Sequence, residues 1–252
     1  MTLISLIRRK LFQSTPEPKI LFLHGFTRSG AAFEAQTQPL QTALKTSLDS
    51  ETRFHFPNGT IRVNPLAENE DASYAWWRKD DETDRYVGLE ETMRFLGNYL
   101  DFHGPFDGVI GFSQGACLAA MLASALENDR NEALKAMMVT DHPPLKFCVS
   151  IGGFKPVSGL YAGFYTPMIS TPVLNVLGKK DDIVTPDRST ALANRCQKCE
   201  VVWHDGGHRV PKDQESLQTI MEFVRQHVPR SDDGTANEIG TEGAGQIGKP
   251  KL

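Results

Sequence analysis

The chain has 252 residues, of which 40% are hydrophobic and 23% charged, a balance typical of a globular domain and not of a disordered chain. Its formal net charge of −4 excludes the excess of positive charge with which nucleic-acid and membrane-surface binders neutralise phosphates. No stretch approaches the roughly 18 apolar residues of a membrane span. We therefore expect no nucleic-acid partner and no membrane span.

The first 18 residues are predicted to be an extension that precedes the folded domain. Residues 1–12 are mildly apolar and carry Arg8, Arg9 and Lys10 after the apolar run, whereas a signal peptide carries its charges before it. A weak transit peptide is the alternative interpretation. The following segment, residues 13–19, contains two prolines and is typical of a linker.

Short, uniformly apolar segments then alternate with helical patterns. The predicted strands are residues 20–23, 53–56, 106–110, 147–151, 172–177 and 201–203. The predicted helices are residues 30–44, 88–102, 116–126, 188–196 and 214–227. Residues 61–85 are predicted to be an irregular polar loop, and residues 128–144 a loose connection.

Uniformly apolar strands that alternate with helices are typical of a parallel sheet covered on both faces. The sequence therefore predicts an α/β fold over residues 19–228, with catalytic groups beyond the carboxyl ends of the strands. From Pro229 onwards the composition changes to Gly, Asp, Glu and Ser with few apolar residues. Residues 229–252 are predicted to be a disordered tail.

The sequence Gly-Phe-Ser-Gln-Gly at residues 111–115 is a G-x-S-x-G motif between a predicted strand and a predicted helix. In that setting the serine stands on a tight, strained turn, and the two glycines allow the strand and the helix to pack closely. The helix N-terminus favours negative charge on an oxyanion. Ser113 is therefore predicted to be a nucleophile; the alternative is an ordinary serine on a glycine-rich turn.

A nucleophilic serine needs a base and an orienting acid, which follow this motif in the order Ser, acid, His. Asp181 and Asp182 follow a predicted strand, where an orienting acid belongs, and we favour Asp181. Of the seven histidines, His204 and His208 follow this acid at a suitable loop. The glycines that precede His208 favour it as the base.

A tetrahedral intermediate also needs two backbone N–H donors. The residue after the nucleophile, Gln114, is expected to supply one of them. Phe26, on the turn after the first predicted strand, is expected to supply the other. His24, on the same turn, is interpreted as a structural residue and not as a base.

Three aromatic residues, Tyr74, Trp76 and Trp77, lie within the predicted polar loop. They either pin this loop onto the core or line a pocket for an apolar substrate, and both interpretations can hold. Further candidates for the pocket, after the strand at residues 147–151, are Phe154, Phe164 and Tyr165.

The four cysteines indicate a reducing compartment, because a chain of this length folds without disulfides. Cys196 and Cys199 form a C-x-x-C sequence near the end of a predicted helix, whereas a redox pair works at a helix N-terminus. Neither a second pair nor histidines stand at the spacing of a zinc site. We interpret the two cysteines as ordinary thiols and expect no metal.

Several stretches of the sequence match a known family. The specific part is residues 104–116, GPFDGVIGFSQGA, and residues 21–26, 147–154, 178–189 and 207–211 also match. On these residues the chain, from about 19 to 228, resembles the fungal and animal small serine hydrolases that include the yeast family of serine hydrolases. It is also similar to the hydrolase-like domain fused to dihydrofolate reductase in fission yeast.

The resemblance implies an α/β-hydrolase fold, with a mostly parallel central sheet flanked by helices. It also implies carboxylesterase or thioesterase activity, no cofactor, and a cytoplasmic, sometimes nuclear, location. Carried over to the matching positions, the nucleophile falls on Ser113, the acid on Asp181 and the base on His208. One departure is Pro186, because the family often has proline directly after the position of Val184; it is expected to leave the triad intact.

The predicted function is hydrolysis of a small-molecule carboxylic ester or acyl thioester through a Ser-His-Asp triad and an acyl-enzyme. Some fungal relatives release acyl chains from carrier proteins, so a carrier-bound acyl chain is a further expected substrate. The alternatives are an acyltransferase with the same triad, a non-catalytic binding protein of the same fold, and a redox or metal protein that uses the C-x-x-C pair.

Overall fold

The computed structural model describes residues 17–48, 51–64, 72–130 and 132–228. The predicted tail, residues 229–252, lies outside the described residues. So do residues 1–16, which are most of the predicted N-terminal extension.

The strands and helices of the described residues alternate along the chain. In chain order the strands are β1 (Lys19–Leu23), β2 (Arg53–His55), β3 (Ile61–Arg62), β4 (Tyr74–Ala75), β5 (Arg78–Lys79), β6 (Tyr86–Val87), β7 (Gly108–Phe112), β8 (Phe147–Ile151), β9 (Val173–Gly178) and β10 (Cys199–His204). The α-helices are α1 (Gly30–Gln36), α2 (Gln38–Leu48), α3 (Leu89–His103), α4 (Gln114–Ala125), α5 (Glu132–Met137), α6 (Pro186–Ala193) and α7 (Gln214–His227), and a 3₁₀ helix spans Gly159–Tyr165.

Within this part of the chain, six strands form a central sheet in the order β10-β9-β8-β7-β1-β2. Every neighbouring pair is parallel, so the predicted α/β fold with a parallel central sheet is confirmed. The strand order reverses between β1 and β7, because β2 lies on one side of β1 and the later strands on the other. Ligands of open parallel sheets bind at such a point, beyond the carboxyl ends of the strands.

Apolar side chains cover both faces of the sheet. The helices α3 and α4 cover one face together with Trp76 and Trp77, and α1, α2 and α7 cover the other. Every residue of α4 is buried, as the small, apolar composition of this segment predicts. The sheet and α4 therefore form a rigid base for the turn that joins them.

Several predictions of local structure are wrong, and the strand predicted at residues 106–110 lies two residues further along, as β7. The helix predicted at residues 30–44 is two helices, with a break at Thr37. The break has a physical reason, because Pro39 lacks an N–H and is tolerated only in the first turn of a helix, where α2 places it. The connection predicted at residues 128–144 contains α5, in which Leu134 is buried.

The segment predicted to be an irregular loop, residues 61–85, is partly ordered into two small antiparallel ribbons. One ribbon pairs β3 with β4, and the other pairs β5 with β6. Strands of two residues give no alternating pattern that a sequence could display. Among the described helices, none combines the length and the apolar character that crossing a membrane requires.

Candidate active site

Ser113 stands on the turn between β7 and α4 with φ 55° and ψ −117°. A positive φ is uncommon for a residue other than glycine, and such strain is concentrated at functional sites. The backbone N–H of Ser113 donates to the carbonyl oxygen of Ile151 at 2.9 Å. This hydrogen bond fixes the strained turn to the carboxyl end of β8.

The two glycines of the motif allow this turn to form. A Cβ on Gly115 would lie 2.1 Å from the carbonyl oxygen of Leu23, and a Cβ on Gly111 would lie 2.2 Å from the carbonyl oxygen of Gly115. Both distances are far below van der Waals contact. The start of α4 therefore packs directly on the backbone of β1 and β7 only because these positions carry no side chain.

The structure brings Ser113, His208 and Asp181 together in one chain of hydrogen bonds. Ser113 Oγ lies 2.7 Å from His208 Nε2, and His208 Nδ1 lies 2.7 Å from Asp181 Oδ2. When Nδ1 carries the proton and donates to the carboxylate, Nε2 is left as the acceptor for the serine proton. This is the geometry that a serine nucleophile with a histidine base requires.

The carboxylate of Asp181 is buried and held from both sides. Its Oδ1 accepts hydrogen bonds from the backbone N–H groups of Ile183 at 3.0 Å and Val184 at 2.8 Å. The neighbouring Asp182 is exposed to solvent. Of the two adjacent acids, Asp181 is thus the one that reaches the histidine.

The competing histidine, His204, has a different position. Its ring is buried, and its Nδ1 accepts a hydrogen bond from the N–H of Gly206 at 3.1 Å. Desolvation by burial lowers the pKa of His204, which suits a neutral acceptor. His204 therefore helps to shape the loop that carries His208, whose ring lies 4.9 Å from that of Phe112.

The turn after β1 lies against the nucleophile. A Cβ on Gly25 would be 3.4 Å from Ser113 Cβ. His24 holds this turn, since its Nε2 accepts from the N–H of Gly59 at 2.9 Å and its Nδ1 lies 2.8 Å from the carbonyl oxygen of Gly25. Burial lowers the pKa of His24 to about 4, so the ring is neutral and structural at pH 7.

The side chain of Gln114 has a role that sequence reasoning missed. Its Oε1 accepts from the N–H of Trp76 and its Nε2 donates to the carbonyl oxygen of Trp77, both at 2.9 Å. The residue after the nucleophile thus fixes the tryptophan segment to the start of α4. No spacing rule in the sequence could have revealed this pairing, because the partners are backbone groups.

A cavity of about 560 Å³ opens beside Ser113. Four other residues that the sequence singled out share its wall: Phe26, Gln114, Trp77 and Phe154. The wall residues that sequence reasoning missed are Val63, Arg78, Lys79, Tyr86, Ile183, Val184 and Arg188. They come from the two ribbons and from the loop and helix after the acid.

Trp76 and Tyr74 do not line this cavity. Trp76 is completely buried; its ring stacks on that of His24 at 4.8 Å, and its Nε1 donates to the carbonyl oxygen of His24 at 2.8 Å. Tyr74 lies in β4, and its backbone N–H donates to the carbonyl oxygen of Arg28 at 2.8 Å, which attaches the β3–β4 ribbon to the segment after β1. For these two residues the structure supports pinning of the segment, and only Trp77 reaches the pocket.

Of the two C-x-x-C cysteines, Cys196 follows the end of α6 and Cys199 is the first residue of β10, so neither lies at a helix N-terminus, where a redox pair works. All four cysteines are free. Hydrogen bonding to Cys199 and burial raise the pKa of the Cys196 thiol well above its ordinary value. Within the described residues, no group of three or more His, Cys, Asp or Glu side chains is arranged to hold a metal ion.

Comparisons with known proteins identify the family of the chain. Residues 14–220 match the family described as Serine hydrolase (FSH1). The chain is 31% identical over 222 residues to a dihydrofolate reductase of Schizosaccharomyces pombe, covering 82% of the chain but only 46% of the relative. It thus spans about half of that relative's length. It is also 31% identical to Family of serine hydrolases 3 of Saccharomyces cerevisiae, with 82% and 83% coverage.

Solved structures support the fold. The crystal structure of acyl-protein thioesterase 2 of Zea mays matches with a TM-score of 0.57 and 18% identity, over 85% of this chain and 95% of that one. At this level of identity the likeness concerns the architecture, not the substrate.

Proposed function

The chain belongs to the serine hydrolase (FSH1) family, and from this premise we propose that it cleaves a carboxylic ester or an acyl thioester through an acyl-enzyme on Ser113. The observation that carries the proposal is the hydrogen-bonded chain from Ser113 through His208 to Asp181, at the edge of the cavity. The hydrolytic activity, the triad roles and the intermediate are parts of one mechanism, which can be tested together.

In the first half of the reaction, Ser113 Oγ attacks the carbonyl carbon while His208 Nε2 takes the serine proton. Asp181 orients the imidazole and stabilises it in its charged form. The backbone N–H groups of Gln114 and Phe26 donate to the oxyanion of the tetrahedral intermediate. When the intermediate collapses, His208 gives the proton to the departing alcohol or thiol, and the acyl group stays on Ser113.

In the second half, a water molecule replaces the leaving group. His208 accepts a proton from this water as it attacks the acyl-enzyme, and returns it to Ser113 Oγ when the acid is released. Trp77 and Phe154 supply apolar wall beside the reacting carbonyl. The substrates we propose are small acyl esters and acyl thioesters, including an acyl chain on a carrier protein. We also propose that the protein works in a reducing compartment such as the cytoplasm, and its four free cysteines support this location.

The first experiment is to expose the purified chain to a fluorophosphonate probe, beside a Ser113→Ala variant, and to map the labelled peptide. We expect labelling of Ser113 in the wild type and none in the variant. Hydrolysis of p-nitrophenyl butyrate should fall at least about a thousandfold in the variant. A folded wild-type protein that is not labelled would instead be a binding protein with the same fold.

The adjacent acids provide a matched pair for the acid role. Asp181→Asn should lower kcat by about 10³–10⁴ because the imidazole loses its orienting carboxylate. Asp182→Asn makes the same chemical change one residue away, on an exposed side chain, and should leave kcat within about twofold. Equal losses in the two variants would remove Asp181 from the mechanism.

A further inference from the structure

The cavity beside Ser113 has an unbalanced charge. Three cationic side chains, Arg78, Lys79 and Arg188, contribute to its wall, and no acidic residue of the described chain does so. The whole chain is acidic, with a net charge of −4. The positive charge is therefore a local property of this cavity and not a reflection of the composition.

One of the three cations is already neutralised. Lys79 Nζ lies 3.1 Å from Asp81 Oδ1 and 3.0 Å from Asp84 Oδ1. Hydrogen bonds to these two carboxylates raise the pKa of Lys79. Its charge is thus balanced within its own ribbon, and it is a weak candidate for binding a substrate.

Arg188 differs from Lys79 in having no such partner. The guanidinium carbon of Arg188 lies 4.6 Å from the ring centre of Phe154, and Nη1 makes one long hydrogen bond of 3.4 Å to the carbonyl oxygen of Ile183. In the described part of the chain, no carboxylate lies within ion-pair distance of it. A guanidinium stacked on an aromatic ring keeps its planar set of donors in a fixed direction.

The position of Arg188 in its helix does not explain its presence. It is the third residue of α6, in the first turn, where the helix dipole favours negative side chains and disfavours positive ones. A cation at this position costs helix stability instead of adding to it. The position of Arg188 in the cavity wall, and not its position in the helix, therefore gives this cation a role.

Arg78 is the second unbalanced cation. Its one described hydrogen bond is a long contact, 3.5 Å from Nη2 to the carbonyl oxygen of Arg62, and no acid among residues 17–48, 51–64, 72–130 and 132–228 forms an ion pair with it. The preceding residue, Trp77, is fixed by the side chain of Gln114. Arg78 is therefore attached to a backbone whose position relative to Ser113 is fixed.

From these observations we infer that the substrate carries a negatively charged group, a carboxylate or a phosphate, which Arg188 and Arg78 bind while Ser113 attacks the acyl carbon. Guanidinium groups pair with both anions through two parallel hydrogen bonds. The apolar part of the wall, including Trp77, Ile183 and Val184, contacts the uncharged part of the substrate. The inference rests on the proposed hydrolase function and specifies its substrate class.

Three thioesters separate the two sources of the charge, with release of free thiol as the common readout. Pentanoyl-N-acetylcysteamine is neutral, glutaryl-N-acetylcysteamine has a carboxylate at the acyl end, and pentanoyl-coenzyme A has phosphates on the leaving group. We expect kcat/KM for at least one charged thioester to exceed that for the neutral one by about tenfold. The preferred compound identifies the end of the substrate that carries the charge.

Arg188→Gln and Arg78→Gln should each lower the ratio of kcat/KM for the preferred charged thioester to kcat/KM for the neutral one by about tenfold. Arg225→Gln, which removes an exposed arginine from α7 on the far side of the sheet from α3 and α4, is the control for net charge. This variant should change kcat/KM for neither the charged nor the neutral thioester. Raising the salt concentration should reduce the preference in the wild type.

Failure of this inference can be told from failure of the hydrolase mechanism. If the neutral thioester is cleaved as well as both charged ones, or if the arginine variants slow all three equally, the anion site is refuted and the hydrolase remains. If a folded protein cleaves none of the three and is not labelled at Ser113, both proposals are refuted.

Discussion

Two histidines near the carboxyl ends of strands, His24 and His208, have opposite surroundings. The ring of His24 is fully buried and both of its nitrogens are occupied by backbone groups, the N–H of Gly59 and the carbonyl of Gly25. The ring of His208 faces Ser113 at the cavity. The same type of side chain therefore serves as a support in one place and as a candidate base in the other, because backbone groups occupy both nitrogens of His24 whereas Ser113 and Asp181 face those of His208.

The buried state of His24 should make the stability of the protein depend on pH. The pKa of the ring falls from 6.5 to about 4 on folding, so between these values the unfolded chain binds a proton that the folded chain does not. Stability is then complete above pH 6.5 and decreases as the pH falls towards 4, with a contribution of up to about 3 kcal/mol. Urea unfolding at pH 7 and pH 4.5 should show a smaller decrease for His24→Gln than for the wild type.

A matched control for this prediction is His227→Gln, which removes a half-buried histidine at the end of α7. It should lose as much stability between the two pH values as the wild type does. Other buried histidines add to the acid sensitivity of the wild type, so the comparison concerns the difference between variants. An unchanged pH dependence in His24→Gln would show that the ring titrates normally in the folded protein.

At the scale of elements, the sequence predicted the buried parts best. The strand at Phe147–Ile151 and the helix at Gln214–His227 have the predicted bounds, because a continuous apolar run and a clear helical period each leave one interpretation. The predictions failed where local chemistry competes with the pattern. Pro39 divides one helical stretch into two, and the short helix α5 contains too few residues to show a period.

The contact between α4 and β1 provides a direct test of how the nucleophile turn is built. In Gly115→Ala the new methyl group would lie 2.1 Å from the carbonyl oxygen of Leu23. Since that oxygen belongs to a central strand and cannot move away cheaply, we expect a loss of about 3 kcal/mol or more in the free energy of unfolding. Thermal or urea unfolding followed by circular dichroism measures it.

Gly159→Ala is the control for this substitution. A Cβ on Gly159, the first residue of the 3₁₀ helix, would meet nothing within 4 Å. Its free energy of unfolding should stay within about 0.5 kcal/mol of the wild type. Equal stability of the two variants would mean that α4 does not pack on β1 as closely as described.

At the scale of the whole molecule, the candidate site combines parts that the sequence reveals to different degrees. Ser113, Asp181 and His208 follow strands whose carboxyl ends meet at one edge of the sheet, so their proximity could be predicted. Much of the cavity wall could not, because Val63, Tyr86 and Arg188 come from ribbons, a loop and a short helix whose positions depend on tertiary packing. Their patterns in the sequence are those of ordinary surface residues.

A buried ion pair connects the far end of the nucleophile helix to the strand that leads to the acid. Glu127 and Arg130 pair directly with almost no exposure to solvent. Glu127 Oε1 accepts from the N–H groups of Ser170 and Thr171, both at 2.8 Å, and Arg130 Nε donates to the carbonyl oxygen of Ser124 at 3.1 Å. The pair thus joins the chain just after α4 to the residues just before β9.

Breaking this pair from one side should be more damaging than removing it. Glu127→Met leaves the buried Arg130 only its 3.8 Å contact with the exposed Asp129, and Arg130→Met leaves the buried Glu127 without its cation. Each should lower the free energy of unfolding by about 3–5 kcal/mol. In the double variant neither charge remains, so its free energy of unfolding should fall by no more than that of the less stable single variant. Urea unfolding at pH 7 gives a coupling energy of about 2 kcal/mol or more in that case. If the single variants are too unstable to purify while the double variant folds, that result also shows that the two charges depend on each other. If the losses of unfolding free energy in the single variants simply add up in the double variant, the two side chains stabilise the fold independently, through their separate backbone contacts.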